Sequence, residues 1–280
     1  MGIFDAIVKP LISIFSNTLL HEYSIPIFNS KFQFEYNIHS NEVTKNSMFA
    51  IDTTSTHKEK EIYGRIELNT IPLSSVIEFS RGIKTSDDSR FIKKVEISTD
   101  SKKIYRGKNI KAFSIQWNGE YIWYRPDLMK EKIGCVPYTK EFFETPEKIV
   151  IQRVNSSSQL LAAYDNQQRY FLDTVNVSKY NSWNRAISLK YLCGILNSNL
   201  INFWYCNKYK MPTIGIYEIH SIPIRISKNQ QPFIELVDQI LTTKISDPNA
   251  DIRPLERAID KLVYELYDIT EEEIKIVEGK

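Results

Sequence analysis

The spacing of the apolar residues changes near residue 227, and this change constrains the fold more than any other feature of the sequence. Residues 32–38 alternate between apolar and polar side chains with the period of a half-buried β-strand. In the last part of the chain, apolar residues recur every three or four positions across 233–241 and 255–266, as they do on the buried face of an amphipathic helix. The sequence therefore predicts an α+β fold, with a strand-rich domain at residues 1–226 and a C-terminal helical region at residues 227–280.

Further elements follow from local composition. Asn197 or Ser198 is predicted to cap the second of two apolar helices, because both side chains accept hydrogen bonds from free backbone amides. Thr270 and Glu273 have the spacing of a capping box, which indicates a terminal helix. Polar residues at 41–60 predict a loop. The other predicted strands are 61–68, 121–124, 148–154, 170–177 and 222–226, and the apolar helices are 187–196 and 200–205.

The charge is unevenly distributed, although the net charge is only +2. Residues 81–130 contain twelve basic and six acidic side chains, whereas residues 231–280 contain six basic and twelve acidic ones. A basic middle can face a polyanion while an acidic end turns away from it; the alternative is that both are ordinary solvated surfaces. Every long apolar run is interrupted before it reaches the roughly 20 residues of a membrane span. We therefore expect a cytoplasmic protein that does not bind a membrane.

Motifs for catalysis are missing from the sequence. An amino-methyltransferase needs an Asn/Asp-Pro-Pro-aromatic loop and a glycine-rich cofactor loop, yet no two prolines are adjacent and no G-x-G occurs. A metal-dependent nuclease needs clustered carboxylates and a lysine. The nearest approximations are Asp127 with Glu131 and Lys132, and Glu273 with Lys275. Neither has convincing spacing, and the four histidines are scattered, so we predict no catalytic residue, no metal site and no cofactor.

Binding chemistry is better represented. Residues 80–86 and 105–111 each place a glycine between an arginine and a lysine, where backbone amides and hydroxyls can meet phosphate oxygens. Arginine and asparagine interleaved with aromatic residues are typical of base-edge contacts and stacking. The alternative for Arg153 and Arg169 is that their aliphatic stems cover apolar surface. The residues predicted to bind DNA are Arg81, Lys84, Thr85, Arg106, Lys108, Lys111, Arg125, Arg153, Asn155, Arg169, Asn184 and Arg185.

The order of several short motifs resembles the TaqI-like C-terminal specificity domain of type IIG restriction-modification methyltransferases. Ser86 stands where this family usually has glycine, and Asn109 stands where it usually has an acid. The resemblance extends from Arg81 to the acidic helical end of the chain. The similar segments are Arg-Gly-Ile-Lys-Thr at 81–85, Tyr-Arg-Gly-Lys-Asn-Ile at 105–110, Pro-Glu-Lys-Ile at 146–149, Leu-Cys-Gly-Ile-Leu-Asn-Ser-Asn-Leu at 192–200 and Ile-Pro-Ile at 222–224.

The resemblance implies a role in reading DNA sequence. In that family a preceding domain binds S-adenosylmethionine and methylates adenine, so the expected partners are duplex DNA and a catalytic methyltransferase domain, in cis or in trans. The chain is then an excised domain or a separate specificity polypeptide, and not itself an enzyme. The loops at Arg81 and Arg106 are expected to hold phosphates, and Arg153 or Arg185 to read bases. Two alternatives remain open: a protein-interaction module of a phage-defence complex, and a nuclease with an unrecognised site.

Overall fold

The computed structural model describes residues 23–28, 31–40, 55–155, 159–179, 183–209 and 213–280. The chain divides into two units, Met1–Ser55 and Thr56–Lys280. In the first unit, β1 (Ser24–Phe28) and β2 (Phe34–His39) form an antiparallel hairpin. The strand predicted at 32–38 is confirmed by β2. Most of the loop predicted at 41–60 lies outside the described residues, and its last four residues begin a helix.

The second unit contains both strands and helices, so the α+β prediction is confirmed. Its strands are β3 (Ile71–Pro72), β4 (Phe79–Arg81), β5 (Ile92–Lys93), β6 (Ser101–Tyr105), β7 (Ile110–Lys111), β8 (Ser114–Ile115), β9 (Tyr121–Trp123), β10 (Lys148–Gln152), β11 (Ala162–Asp165), β12 (Tyr170–Phe171), β13 (Val175–Ser178) and β14 (Pro223–Ile224). Its helices are α1 (His57–Glu67), α2 (Asp88–Phe91), α3 (Pro126–Met129), α4 (Lys140–Phe143), α5 (Leu189–Asn197), α6 (Asn199–Lys208), α7 (Ile216–His220), α8 (Gln231–Ser246), α9 (Arg253–Leu266) and α10 (Glu271–Val277).

Helix α1 replaces the strand predicted at 61–68, and that prediction is wrong. A capping box starts the helix, because the Thr56 side chain accepts from the Glu59 amide and the Glu59 carboxylate accepts from the Thr56 amide. Ile62 and Ile66 are four residues apart and both are buried on the same helix face. The local cap and the i, i+4 burial together favour the helix over the alternating pattern.

Two four-stranded sheets form the strand-rich body. The first has the order β11-β10-β13-β4, and its neighbouring strands are antiparallel. The second has the order β12-β6-β9-β5, in which β12 runs parallel to β6. Buried side chains such as Ile83, Val150, Phe171 and Val177 belong to one apolar cluster that includes strands of both sheets. The short connection from β12 to β13, residues 172–174, therefore joins the two sheets.

A buried ion pair connects two neighbouring strands of the first sheet. Lys148 at the start of β10 lies opposite Asp165 at the end of β11, and its Nζ is 2.8 Å from the Asp165 Oδ2. Both side chains are fully buried. Lys148 also donates to the Phe143 carbonyl at 2.6 Å, and Asp165 accepts from Arg169 at 2.6 Å. Burial alone would raise the pKa of Asp165, but the adjacent Lys148 and Arg169 hold that pKa below its usual value.

The predicted C-terminal helices are confirmed by α8 and α9, and the capping box of Thr270 and Glu273 starts α10. The Ser198 side chain caps α6, as expected for one of the two proposed caps. Helices α5, α6, α8 and α9 contribute to one apolar core; for example, the Tyr191 and Phe233 rings meet edge to face at 5.0 Å. The boundary predicted near Ser227 thus falls between elements that share this core. No helix among the described residues is long and apolar enough to cross a membrane.

Candidate nucleic-acid interface

The two Arg-Gly segments singled out in the sequence meet at the connection between β12 and β13. The Gly82 amide donates to the Val175 carbonyl at 2.9 Å. The Gly107 amide donates to the Thr174 hydroxyl oxygen, also at 2.9 Å. Two segments separated by about 25 residues are therefore fixed against the same short piece of backbone.

Both glycines are required by close packing. A Cβ added at Gly107 would lie 2.7 Å from the Thr174 carbonyl oxygen, and one added at Gly82 would overlap the carbonyl oxygens of Phe171 and Leu172. These two amides are not available to phosphate oxygens, because each already donates within the protein; the predicted contacts of the other loop amides stay predictions. The glycines instead allow the backbone next to Arg81 and Arg106 to approach the 172–174 connection.

We expect Gly82→Ala to lower the free energy of unfolding by about 1–3 kcal/mol, because neither carbonyl oxygen belongs to a side chain that can rotate away. Gly64→Ala is the matched control. Gly64 lies in α1 with no heavy atom within 4 Å of an added Cβ, and alanine should stabilise a helix interior by about 0.5–1 kcal/mol. Urea denaturation of the two variants would measure the contrast. Equal stability of both variants would show that Gly82 is not tightly packed.

Arg153, immediately after β10, also contacts the 172–174 connection. Its amide donates to the Thr174 carbonyl at 2.9 Å, and its Nη1 donates to the Asp173 carbonyl at 3.2 Å. The Arg153 Nε is buried and has no hydrogen-bond partner among the described residues. A buried donor without a partner is costly, and a water molecule or a ligand can relieve that cost; the Nε atoms of Arg169 and Arg225 are in the same position.

Arg81 ends β4, and Arg153 follows β10 on the other side of the intervening strand β13. Arg81 pairs in register with Asn176 of β13, while the β10 residue Gln152 pairs with Val175. Burial lowers the pKa of Arg153, and the positive charge of Arg81 lowers it further, against a smaller opposing effect of Asp173. Neither arginine forms a carboxylate ion pair within the part of the chain that the structure describes. We refer to Arg81 and Arg153 as the arginine pair. Two arginines beside the same connection, with no carboxylate of the described residues bound to either of them, favour an anionic ligand.

Arg106 differs from this pair because two carboxylates engage it. Its Nε is 2.8 Å from Glu120 Oε2, and its Nη2 is 3.0 Å from Asp88 Oδ2. Burial opposes the charge of Arg106, but hydrogen bonds to both carboxylates raise its pKa. Thr85 is buried and donates to Asp88. Arg106 and Thr85 therefore both bind Asp88, the first residue of α2. Their predicted DNA contacts stay predictions.

The ion pair of Arg106 with Glu120 predicts a dependence of stability on pH. Burial would raise the pKa of Glu120, but hydrogen bonds from Arg106, Lys94 and Asn118 lower it to about 2, below its ordinary 4.5. A depressed folded-state pKa stabilises the protein above the unfolded pKa, and this contribution is lost as the pH falls from about 4.5 toward about 2. The difference in unfolding midpoint between the parent and Glu120→Gln should therefore be large at neutral pH and shrink across this interval. A difference that stays constant down to the lowest pH would contradict the ion pair.

The remaining predicted residues are distributed over several parts of the second unit. Lys84, Lys108 and Lys111 are exposed. Arg125 is bound to Asp127, and Arg169 to the buried Asp165 at the opposite end of β10 from Arg153. The other three residues have local contacts: Asn155 donates to the Gln159 carbonyl, the Asn184 amide donates to Val76, and the Arg185 guanidinium lies 4.3 Å from the centre of the Trp183 ring.

Some residues of this surface were missed at the level of sequence. Asp88 and Glu120 hold Arg106, and the sequence alone gives no sign of these two ion pairs. Ile133 is almost fully exposed on a turn. Three residues later, Val136 forms a β-bridge with Lys84. The only sequence feature that marks Ile133 as exposed is its position just before a glycine, in a segment that contains lysines. Among the described residues, no group of three histidine, cysteine, aspartate or glutamate side chains is placed to hold a metal ion.

Comparison with known protein families gives a match for the part of the chain that contains the 172–174 connection. Residues 102–224, which include Arg106, Arg153 and the 172–174 connection, match the family described as the TaqI-like C-terminal specificity domain. Over these residues the chain is similar to the TaqI-like specificity domain. The resemblance noted from the order of the motifs is therefore confirmed. Arg81 and the C-terminal helices lie outside the matched residues.

One curated protein and two solved structures illustrate what this chain is similar to. A Methanocaldococcus jannaschii protein described as a type II restriction enzyme and methyltransferase is 31% identical over 140 residues, which are 45% of this chain and 11% of that protein. The type IIL restriction-modification enzyme MmeI, solved in complex with DNA, aligns with a TM-score of 0.45 and 12% identity over 74% of this chain and 35% of that chain. The HsdS subunit from Thermoanaerobacter tengcongensis aligns with a TM-score of 0.39 and 12% identity over 75% of this chain and 50% of its own.

Proposed function

We propose that this chain is the sequence-specific DNA-recognition module of a type IIG-like restriction-modification system. The observation that carries the proposal is the arginine pair at the 172–174 connection, inside or directly beside a TaqI-like specificity domain. The M. jannaschii relative, described as both a restriction enzyme and a methyltransferase, supports this type of system. Because this chain covers 11% of that relative, we propose that the catalytic methyltransferase domain acts from another part of the protein or from another subunit.

The geometry supports different tasks for different residues. Arg81 is exposed and fixed by the β4–β13 pairing, so its guanidinium is placed to contact a phosphate. Arg153 is held by two backbone carbonyls and retains a buried unpartnered Nε, so it is the better candidate for a directed contact with a base edge. Lys84 and Lys108, both exposed on the segments next to these arginines, add positive charge. On such a surface, phosphate contacts would position the duplex and one well-oriented side chain would recognise a base.

Salt-dependent binding tests this proposal. Fluorescence anisotropy of a labelled duplex of random sequence should show that the logarithm of the binding constant falls linearly with the logarithm of salt concentration, with a slope of about −0.9 for each phosphate contacted. Arg81→Ala should make that slope less steep by about one. Absence of binding at low salt, or binding that does not depend on salt, would contradict the proposal.

We also propose that the chain does not catalyse a reaction by itself. The sequence lacks the loops of an amino-methyltransferase, and the described residues contain no cluster suited to a metal. Incubating the chain with plasmid DNA, magnesium and S-adenosylmethionine should leave the DNA uncut and unmethylated. Cleavage that requires magnesium would instead establish the nuclease alternative. We also propose that the protein is cytoplasmic.

A further inference from the structure

An apolar side chain stands alone at the tip of a well-defined turn. Ile133 is 98% exposed. The turn from Lys132 to Cys135 is closed by a hydrogen bond of 3.1 Å from the Cys135 amide to the Lys132 carbonyl. Gly134 has a φ of +78°, which the third position of this kind of turn requires. The Ile133 side chain is thus presented to solvent by an ordered backbone.

The turn is fixed on both sides. Before it, Met129 at the end of α3 is buried in the apolar cluster of the two sheets. After it, the Val136 amide donates to the Lys84 carbonyl at 2.8 Å, and the Lys84 amide donates to the Val136 carbonyl at 3.2 Å. Lys84 lies three residues after Arg81 on the segment that passes the 172–174 connection. Backbone pairing therefore joins the Ile133 turn to the segment that carries Arg81.

Lysines surround this apolar tip. Lys130 and Lys132 are exposed on either side of Glu131, just before the tip. The Lys84 Nζ would lie 3.8 Å from a Cβ added at Gly134. Lys132 forms an ion pair with Asp87 at 3.3 Å, which leaves Lys84 and Lys130 without an ion pair among the described residues. An apolar partner protein would have to bury uncompensated ammonium groups, whereas a nucleic acid provides both phosphates for the lysines and apolar base faces for the isoleucine.

We propose that Ile133 is a wedge that inserts between stacked base pairs of duplex DNA when the arginine pair binds. This inference rests on the proposed function, because the arginine pair must first bring the duplex to the turn. Apolar side chains that enter a base step unstack it and bend the helix. The closed turn keeps Ile133 exposed before binding, so little ordering of the loop opposes the insertion. Lys84 and Lys130 would contact the phosphates on the two sides of the opened step.

Base unstacking provides the test. Duplexes that the full chain enriches from a randomised library would carry 2-aminopurine at each position in turn, since this base fluoresces more strongly when it is unstacked. We expect a severalfold rise in fluorescence at one step with the parent chain, and loss of that rise with Ile133→Ser. The matched control is Ile245→Ser in α8, where the isoleucine is also exposed, at 77%. The control should retain the full rise.

The outcomes separate this inference from the function on which it rests. Ile133→Ser should weaken binding by about tenfold while leaving the salt slope unchanged, because it removes no charge; Lys130→Ala should make the slope less steep by about one. Binding by the parent without a fluorescence rise, or a rise that persists in Ile133→Ser, would overturn the wedge and leave the proposed function intact. Failure of the parent to enrich or bind any duplex would overturn both.

Discussion

Lys148→Met should lower the free energy of unfolding by about 3–5 kcal/mol. Lys148 and Asp165 are both fully buried and lie 2.8 Å apart on adjacent strands. Methionine has a similar volume but leaves the Asp165 carboxylate in an apolar environment with Arg169 as its remaining cationic partner. The main cost is that the buried carboxylate loses the ammonium group that faces it, and only Arg169 and two backbone amides remain as partners. Urea denaturation followed by circular dichroism would measure it.

The control for this prediction is an ion pair at the surface. Lys179→Met removes a contact of 2.8 Å to Glu78, but both side chains are substantially exposed, so the unfolding transition should not move measurably. If Lys148→Met were as stable as Lys179→Met, the Lys148 ammonium would not be buried against Asp165. Lys148 is the lysine of the Pro-Glu-Lys-Ile segment. The same result would therefore mean that this segment does not provide a buried charge.

The double variant Arg81→Ala, Arg153→Ala should produce the largest loss of DNA binding. Each lost contact is expected to cost about 1–3 kcal/mol. Because the charge of Arg81 acts on Arg153, their effects are expected to be coupled rather than strictly additive. Arg81→Ala should weaken binding to every duplex, while Arg153→Ala should in addition relax the preference at one base position. Anisotropy titrations against matched and single-mismatch duplexes would separate the two effects.

Arg253→Ala is the charge-matched control for each single variant, Arg81→Ala and Arg153→Ala. Arg253 lies at the start of α9 and forms an ion pair with Asp251 at 2.8 Å, in the acidic end of the chain. Its removal also takes away one positive charge, but it should leave duplex binding unchanged. Equal losses for Arg253→Ala and for either arginine of the pair would mean that binding follows net charge only and that the arginine pair is not a specific contact surface.

The elements that the sequence predicted correctly are those whose apolar periodicity was unambiguous. Residues 233–241 and 255–266 repeat at helical spacing only, and they form α8 and α9. The error at 61–68 has a physical reason. Ile62, Ile66 and Leu68 are spaced by even numbers of residues, which fits a strand, yet the four-residue step from Ile62 to Ile66 fits a helix equally well. The Thr56 and Glu59 capping box would have resolved this ambiguity.

The candidate site was only partly predictable, because its defining contacts join residues that are distant in sequence. Motif order identified Arg81, Arg106 and Arg153 as candidates. It did not reveal that Gly82 and Gly107 pack against one connection, or that Arg106 is held by Glu120 while Arg153 keeps an unpartnered Nε. Pairings of this kind depend on strand register and chain crossing, and the local spacing of residues contains no information about either.

The central claim is that this chain selects a DNA sequence, and competitive selection from a randomised duplex library tests it most directly. After enrichment at physiological salt, one motif should dominate, and a duplex carrying it should bind at least about 10³-fold more tightly than a scrambled duplex of the same composition. The Arg81→Ala, Arg153→Ala variant should fail to enrich that motif. Recovery of the unselected library, with equal affinity for the motif and the scrambled duplex, would contradict the claim.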